Sequence, residues 1–110
     1  MKPENVCLDE NFDLKLIDFG FAACILQDAG RAGTVSYWSP GQHNLEPTNY
    51  IKDDIFTLGM MLYIMVTGLP PFQQAKKSDK HYKPIALGMH NQFWNEAENR
   101  LGYQIDDDLK

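Results

Sequence analysis

Residues 1–20, MKPENVCLDENFDLKLIDFG, decide the fold. Val6-Cys7-Leu8 is a short apolar run, and Asp9-Glu10-Asn11 behind it is turn chemistry. Leu14, Leu16 and Ile17 then resume in a strand-like pattern, so the stretch reads as a two-stranded hairpin. The second strand ends at Asp18-Phe19-Gly20, where Gly20 is expected to release the backbone. Asn5 and Asp18 therefore place two hard oxygen donors at the rim of one hairpin. Donors of this kind suit magnesium held against substrate phosphates, where few protein oxygens are used. Taken alone, Asn and Asp at loop ends are turn formers far more often than ligands.

Beyond the hairpin, residues 21–50 carry no sustained periodicity and are punctuated by Gly30, Gly33, Pro40, Gly41 and Pro47. A long irregular segment in a compact domain is usually functional or disordered. Phe21, Tyr37 and Trp38 argue against simple disorder. Residues 53–67 read as the strongest helix, with Asp53 or Asp54 as N-cap or first-turn carboxylate. Its body, Ile55 to Val66, is apolar on nearly every face, which suits a buried central helix. Gly68 supplies a stop. The apolar part covers only 55–66 and ends before Pro70-Pro71, short of the roughly 20 residues that span a bilayer. After a polar loop at 76–80, residues 82–100 read as one or two helices anchored by Tyr82, Ile85, Phe93 and Trp94. Asp106-Asp107-Asp108-Leu109-Lys110 looks like the first turn of another helix. The fold class is α+β, mainly helical.

Composition sets the outer limits. With 110 residues there is room for one domain. A hydrophobic share of 44% and a charged share of 23% exclude disorder as the main state. A net charge of -5 gives no general attraction to nucleic acid or an anionic membrane, so neither is an expected partner. Cys7 and Cys24, without a CxxC pair, read as reduced and mostly buried thiols. His43, His81 and His90 lack ligand-like spacing, Arg31 reads as solvated, and Met60, Met61 and Met65 read as core filling. No leader peptide is visible, which makes an intracellular, cytoplasmic setting the default expectation.

The ordered set of motifs is more specific than any one of them. Lys2-Pro3-Glu4-Asn5 comes first, then Asp18-Phe19-Gly20, then Gly33-Thr34, Tyr37 and Ser39-Pro40. Asp54-Ile55-Phe56-Thr57-Leu58-Gly59 and Gly68 with Pro70-Pro71-Phe72 follow. This order and spacing resemble the Ser/Thr branch of the protein kinases, in the calmodulin-dependent type of C-terminal lobe. The resemblance implies transfer of the ATP γ-phosphate to protein Ser/Thr hydroxyls, with ATP and Mg2+ as cofactors. It implies that Asn5 and Asp18 hold magnesium, that Lys2 contacts the transferring phosphate, and that Phe19 packs inward beside Gly20. Thr34 would lie near the substrate hydroxyl, and Asp54 would cap the central helix and fix the catalytic loop backbone. The implied layout is catalytic-loop end and hairpin at 1–20, activation segment at 21–41, central helix at 53–67 and a partial helical subdomain at 68–110.

The resemblance also implies parts that these residues do not include. A catalytic Asp would precede Met1, and an N-terminal lobe would supply the glycine-rich loop, a strand lysine and the adenine hinge. The last helices of the lobe would follow Lys110. The 110 residues are therefore expected to be inactive alone, with the remainder of a kinase domain as an expected partner beside protein substrate and ATP. Ser39-Pro40-Gly41 stands where the family has Ala-Pro-Glu, so the usual carboxylate that clamps the activation segment is missing. Gly41 motivates the alternative reading, a non-catalytic kinase-derived binding module. The apolar helix with few flanking elements further predicts poor stability on its own.

Overall fold

The computed structural model describes residues 1–22, 32–47 and 49–110, so the expectations for Cys24 and Arg31 lie outside the described residues. The hairpin forms as read: β1 (Val6–Leu8) pairs antiparallel with β2 (Leu14–Leu16), in the register Val6 to Leu16 and Leu8 to Leu14. Asp9 builds the connection, its carboxylate accepting the N–H groups of Asn11 and Asp13, each at 2.9 Å. Those bonds hold the Asp9 carboxyl below the usual carboxylate range. Nothing in the described chain covers the strands, so Leu8, Leu14 and Leu16 are exposed. For the same reason Cys7 is an exposed thiol rather than the buried one expected.

The helical part begins with α1 (Pro40–His43) and the long α2 (Tyr50–Thr67). Helix α2 starts three residues before the start read from sequence. Its cap is Asn49, whose side chain accepts the Lys52 N–H at 3.1 Å, and Asp53 takes the other expected role, that of first-turn carboxylate. It ends on Gly68, left-handed at φ 74°, whose N–H returns to the Ile64 carbonyl. Thr57, Met60 and Met61 are buried. Ile51, Ile55, Leu58, Leu62 and Met65 form a stripe on the helix and are 41–77% exposed. The helix is thus covered on one face only, and Met65 is surface rather than core filling.

Two short segments and α4 complete the chain. Helix α3 (Lys83–Ala86) and α4 (His90–Leu101) occupy the region read as one or two helices, and a single 3-10 turn follows at Asp107–Leu109. The core centres on Met60, Phe72, Ala75 and Tyr82, with Tyr37, Phe56 and Ile85 packed around them. The Phe72 ring meets Tyr82 edge-on at 4.9 Å between centroids. A second cluster joins Tyr63 of α2 to Phe93 and Trp94 of α4. Arg100 locks this junction: its guanidinium donates to the carbonyls of Pro70 and Pro71 and to the Tyr63 hydroxyl. The Cα radius of gyration is 15.3 Å, against about 13 Å for a compact chain of this length. The excess agrees with the uncovered face of α2 and the bare hairpin. Among the described residues no helix is long and apolar enough to cross a membrane.

Asp79 organises the loop between Phe72 and α3. One carboxylate oxygen accepts the N–H groups of Gln73 and Gln74, and the other accepts those of His81 and Tyr82. Partial burial works upward on this carboxyl, but the four N–H donors together outweigh it and hold it below the usual range. The ionised form is therefore the one the fold favours. Asp79→Asn is expected to destabilise the chain by about 2 kcal/mol at neutral pH, because four backbone donors, three of them in part-buried bonds, lose a charged acceptor. The contribution is present above about pH 4 and is lost as pH falls through the folded value. Urea unfolding of chain and variant at descending pH should show the gap closing below about pH 4. A gap that is constant with pH would contradict the assignment.

Candidate functional site

The sequence-read site residues converge. Lys2, Asn5, Asp18, Phe19, Gly20 and Thr34 all line one cavity of about 720 Å³ between the hairpin and the first turns of α2. The hairpin register brings Asn5 and Asp18 together from positions thirteen residues apart. The Asn5 carbonyl accepts the Ile17 N–H at 2.9 Å, directly before Asp18. Lys2 sits just before the 3-10 turn Pro3–Asn5, and its carbonyl accepts the Asn5 N–H.

Asp18 has the unusual backbone here. Its φ is 61°, in the left-handed region, where non-glycine residues seldom sit. This corrects the expectation that Gly20 carries the backbone freedom. Asp18 stabilises its own turn by accepting the Gly20 N–H at 3.2 Å, and a Cβ on Gly20 would stand 3.2 Å from that same oxygen. Strained residues held in this way concentrate at functional sites. Phe19 differs from expectation more sharply. It is 67% exposed and does not pack inward, because no described element lies over the hairpin to receive it.

Asp18, Asp53 and Asp54 line the cavity together with Lys2, and among the described residues no three Asp, Glu, His or Cys side chains are grouped to hold a metal ion by themselves. The oxygen donors of Asn5 and Asp18 are of the kind magnesium takes, with its remaining positions left to water and phosphate. Tyr37 also lines the cavity; burial, and secondarily Glu4, push its phenol up, so it stays a neutral donor at neutral pH. Asp54 is exposed, and its expected capping role passes to Asn49.

The segment facing the cavity is tied to α2 by contacts that sequence reading missed. Ser39, 4% exposed, donates its hydroxyl to Asp53. Ser39 and Gln42 also form a reciprocal capping box on α1. Thr57 Oγ1 lies 3.1 Å from the Tyr37 carbonyl and 3.0 Å from that of Asp53. The Ser-x-x-Gln pattern at 39–42 was a readable signal for the box. The Ser39–Asp53 pair, with no pattern linking the two positions, was not readable. At Gly41 a Cβ would come within 3.4 Å of the Glu46 carboxylate, which occupies the space beside the glycine. Ser39→Ala is expected to cost about 2 kcal/mol, since α1 loses its cap and Asp53 loses a buried donor. Adding Asp53→Val should recover part of that loss, because both polar partners are then gone. Thermal melts of the two variants check this; a double variant weaker than Ser39→Ala would rule the pair out as a coupled unit.

The family model for the protein kinase domain matches residues 1–109. The chain belongs to the protein kinase domain family. Among curated relatives of this kinase chain, the CBL-interacting serine/threonine-protein kinase 5 of Arabidopsis thaliana is 35% identical over 106 residues, covering 91% of the chain and 24% of the relative. The serine/threonine-protein kinase SCH9 of Saccharomyces cerevisiae is 37% identical over 91 residues, covering 80% of the chain and 11% of the relative. The testis-specific serine/threonine-protein kinase 1 of Mus musculus is 37% identical over 83 residues, covering 68% of the chain and 23% of the relative. The kinase chain thus spans about a quarter or less of the length of these relatives. Its mainly helical build with one two-stranded hairpin agrees with a portion of the kinase C-terminal lobe.

Proposed function

We propose that this chain is the part of a Ser/Thr protein kinase domain that carries the magnesium-binding and substrate-facing elements. The observation that carries the reading is the hairpin itself. It brings Asn5 and the left-handed Asp18 into the lining of one cavity that Lys2 and Thr34 also line. In the complete domain Asn5 and Asp18 would hold Mg2+, which supplies charge neutralisation at the ATP phosphates. Lys2, in the same lining, would balance charge developing on the transferred group. Thr34 would offer its hydroxyl to the protein substrate. The Ser39–Asp53 and Tyr37–Thr57 contacts hold that substrate-facing segment against α2. Phosphoryl transfer consists mostly of such positioning.

The test joins residues 1–110 to an upstream kinase lobe that supplies the catalytic Asp and the ATP-binding elements. Incorporation of the γ-phosphate into a Ser- or Thr-containing protein, dependent on Mg2+, supports the reading. Tight magnesium-ATP binding without any transfer favours the second reading, a non-catalytic binding module. Gly41 in place of a clamping glutamate is the specific feature that speaks for that alternative.

A further inference from the structure

Charge is segregated along this chain. Between Ile55 and Asn95 there are four lysines and a single acidic residue, Asp79. That stretch is therefore +3 in a chain of net charge -5, which leaves -8 on the remainder. The lysines, Lys76, Lys77, Lys80 and Lys83, fall within eight residues and all are exposed. Asp79 is turned to the backbone, its two oxygens accepting four N–H groups. Among the described residues the ion pairs are made by Lys15 and Lys110, and none by these four. Their field reaches the neighbouring helix: burial first, and then Lys76, hold the His43 imidazole below its ordinary range.

The frame that displays the lysines is coiled. The Asp79 N–H bonds the Lys76 carbonyl, and the Lys83 N–H bonds the Asp79 carbonyl. At about 1.5 Å per residue, eight residues of such a path span roughly 12 Å. That is close to the screening length of about 8–10 Å at ordinary salt. The four charges therefore act together on whatever touches them and little on anything farther away.

We infer that Lys76, Lys77, Lys80 and Lys83 form a docking patch for a short acidic segment of another polypeptide. The inference stands apart from the phosphotransfer reading, since none of the four lysines lines the cavity described above. The size of the patch selects the class of partner. A nucleic acid or an anionic bilayer extends well past 12 Å and would press its charge against the -8 remainder of the chain. A short run of Asp and Glu covers the lysines and stops. Each exposed pair contributes little, so recognition depends on the four acting as a unit.

The test uses the 110-residue chain and a fluorescently labelled short poly-glutamate peptide, read by anisotropy. The peptide is expected to bind at low salt and to weaken as salt rises, and a poly-glutamine peptide is expected not to bind. Changing all four lysines to glutamine should weaken binding at least about tenfold, while Lys52→Gln leaves it nearly unchanged. A photoreactive version of the peptide should label residues 73–86 of the unaltered chain, a readout that needs no variant. The inference is overturned by equal binding to the fourfold variant, by labelling elsewhere, or by no binding at all. It is equally overturned if a single-stranded oligonucleotide or a phosphatidylserine vesicle binds as tightly as the peptide.

Discussion

Replacing Asp18 by asparagine is expected to lower phosphate transfer by the completed domain at least about a hundredfold while leaving the fold intact. The asymmetry follows from the geometry. Asp18 is exposed, so no core contact is lost. Asparagine tolerates the left-handed backbone nearly as well as aspartate and can still accept the Gly20 N–H through its amide oxygen. What disappears is the full negative charge that Asp18 brings to the cavity lining, the property a magnesium ligand needs. Two assays separate the outcomes: initial rates at saturating Mg2+ and a thermal melt. A variant with an unchanged rate would remove Asp18 from the site. A melt displaced by more than about 1 kcal/mol would make its role structural instead.

Phe72→Ala should have the largest effect on stability, about 3–5 kcal/mol. Phe72 is 4% exposed and sits where the chain returns from α2. It touches Phe56 from that helix and Tyr82 from the following loop, with centroid distances of 6.2 and 4.9 Å. Removing the ring empties the middle of the small cluster formed with Met60, Ala75 and Tyr82. Tyr82 is held by the Asp79 turn, so the void cannot be closed by a simple shift. A domain of this size has a total stability of only about 5–15 kcal/mol, and the partly covered α2 places this chain at the low end. The expected result is loss of the cooperative urea transition. A midpoint within about 1 kcal/mol of the parent would mean that the core lies elsewhere. Phe19→Ala serves as the contrast, because that ring is 67% exposed and its removal should leave the transition in place.

The hairpin and the body of α2 were legible because their signals are local. Alternation around Asp9-Glu10-Asn11 determines a register, and Gly68 marks a helix end through its own backbone. The convergence of Asn5 and Asp18 could be read from the same local register. The true start of α2 was missed because Asn49 stands behind Pro47, and the aspartates downstream offered a second plausible cap. Arg100, Ser39 and Asp53 act on groups far away in sequence, and no periodic pattern encodes such pairs. Cys7 and Met65 read as inward-facing from residue type alone, and Phe19 from the family resemblance. Their exposure depends on which surfaces lie nearby, and the described residues provide none over the hairpin or the outer face of α2.

That outer face has a consequence for how the protein's stability must be defined. Ile51, Ile55, Leu58, Leu62 and Met65 recur at alternating intervals of four and three, the spacing that lets one helix lie along another. Whatever covers the stripe binds the folded chain and not the unfolded one, so it adds to the free energy of folding by mass action. Where that cover is a separate molecule, the melting temperature follows its concentration as well as the sequence, and where it is joined to the chain the gain is the same at every dilution. A dilution series of the 110 residues therefore separates the stability of the chain from that of its cover.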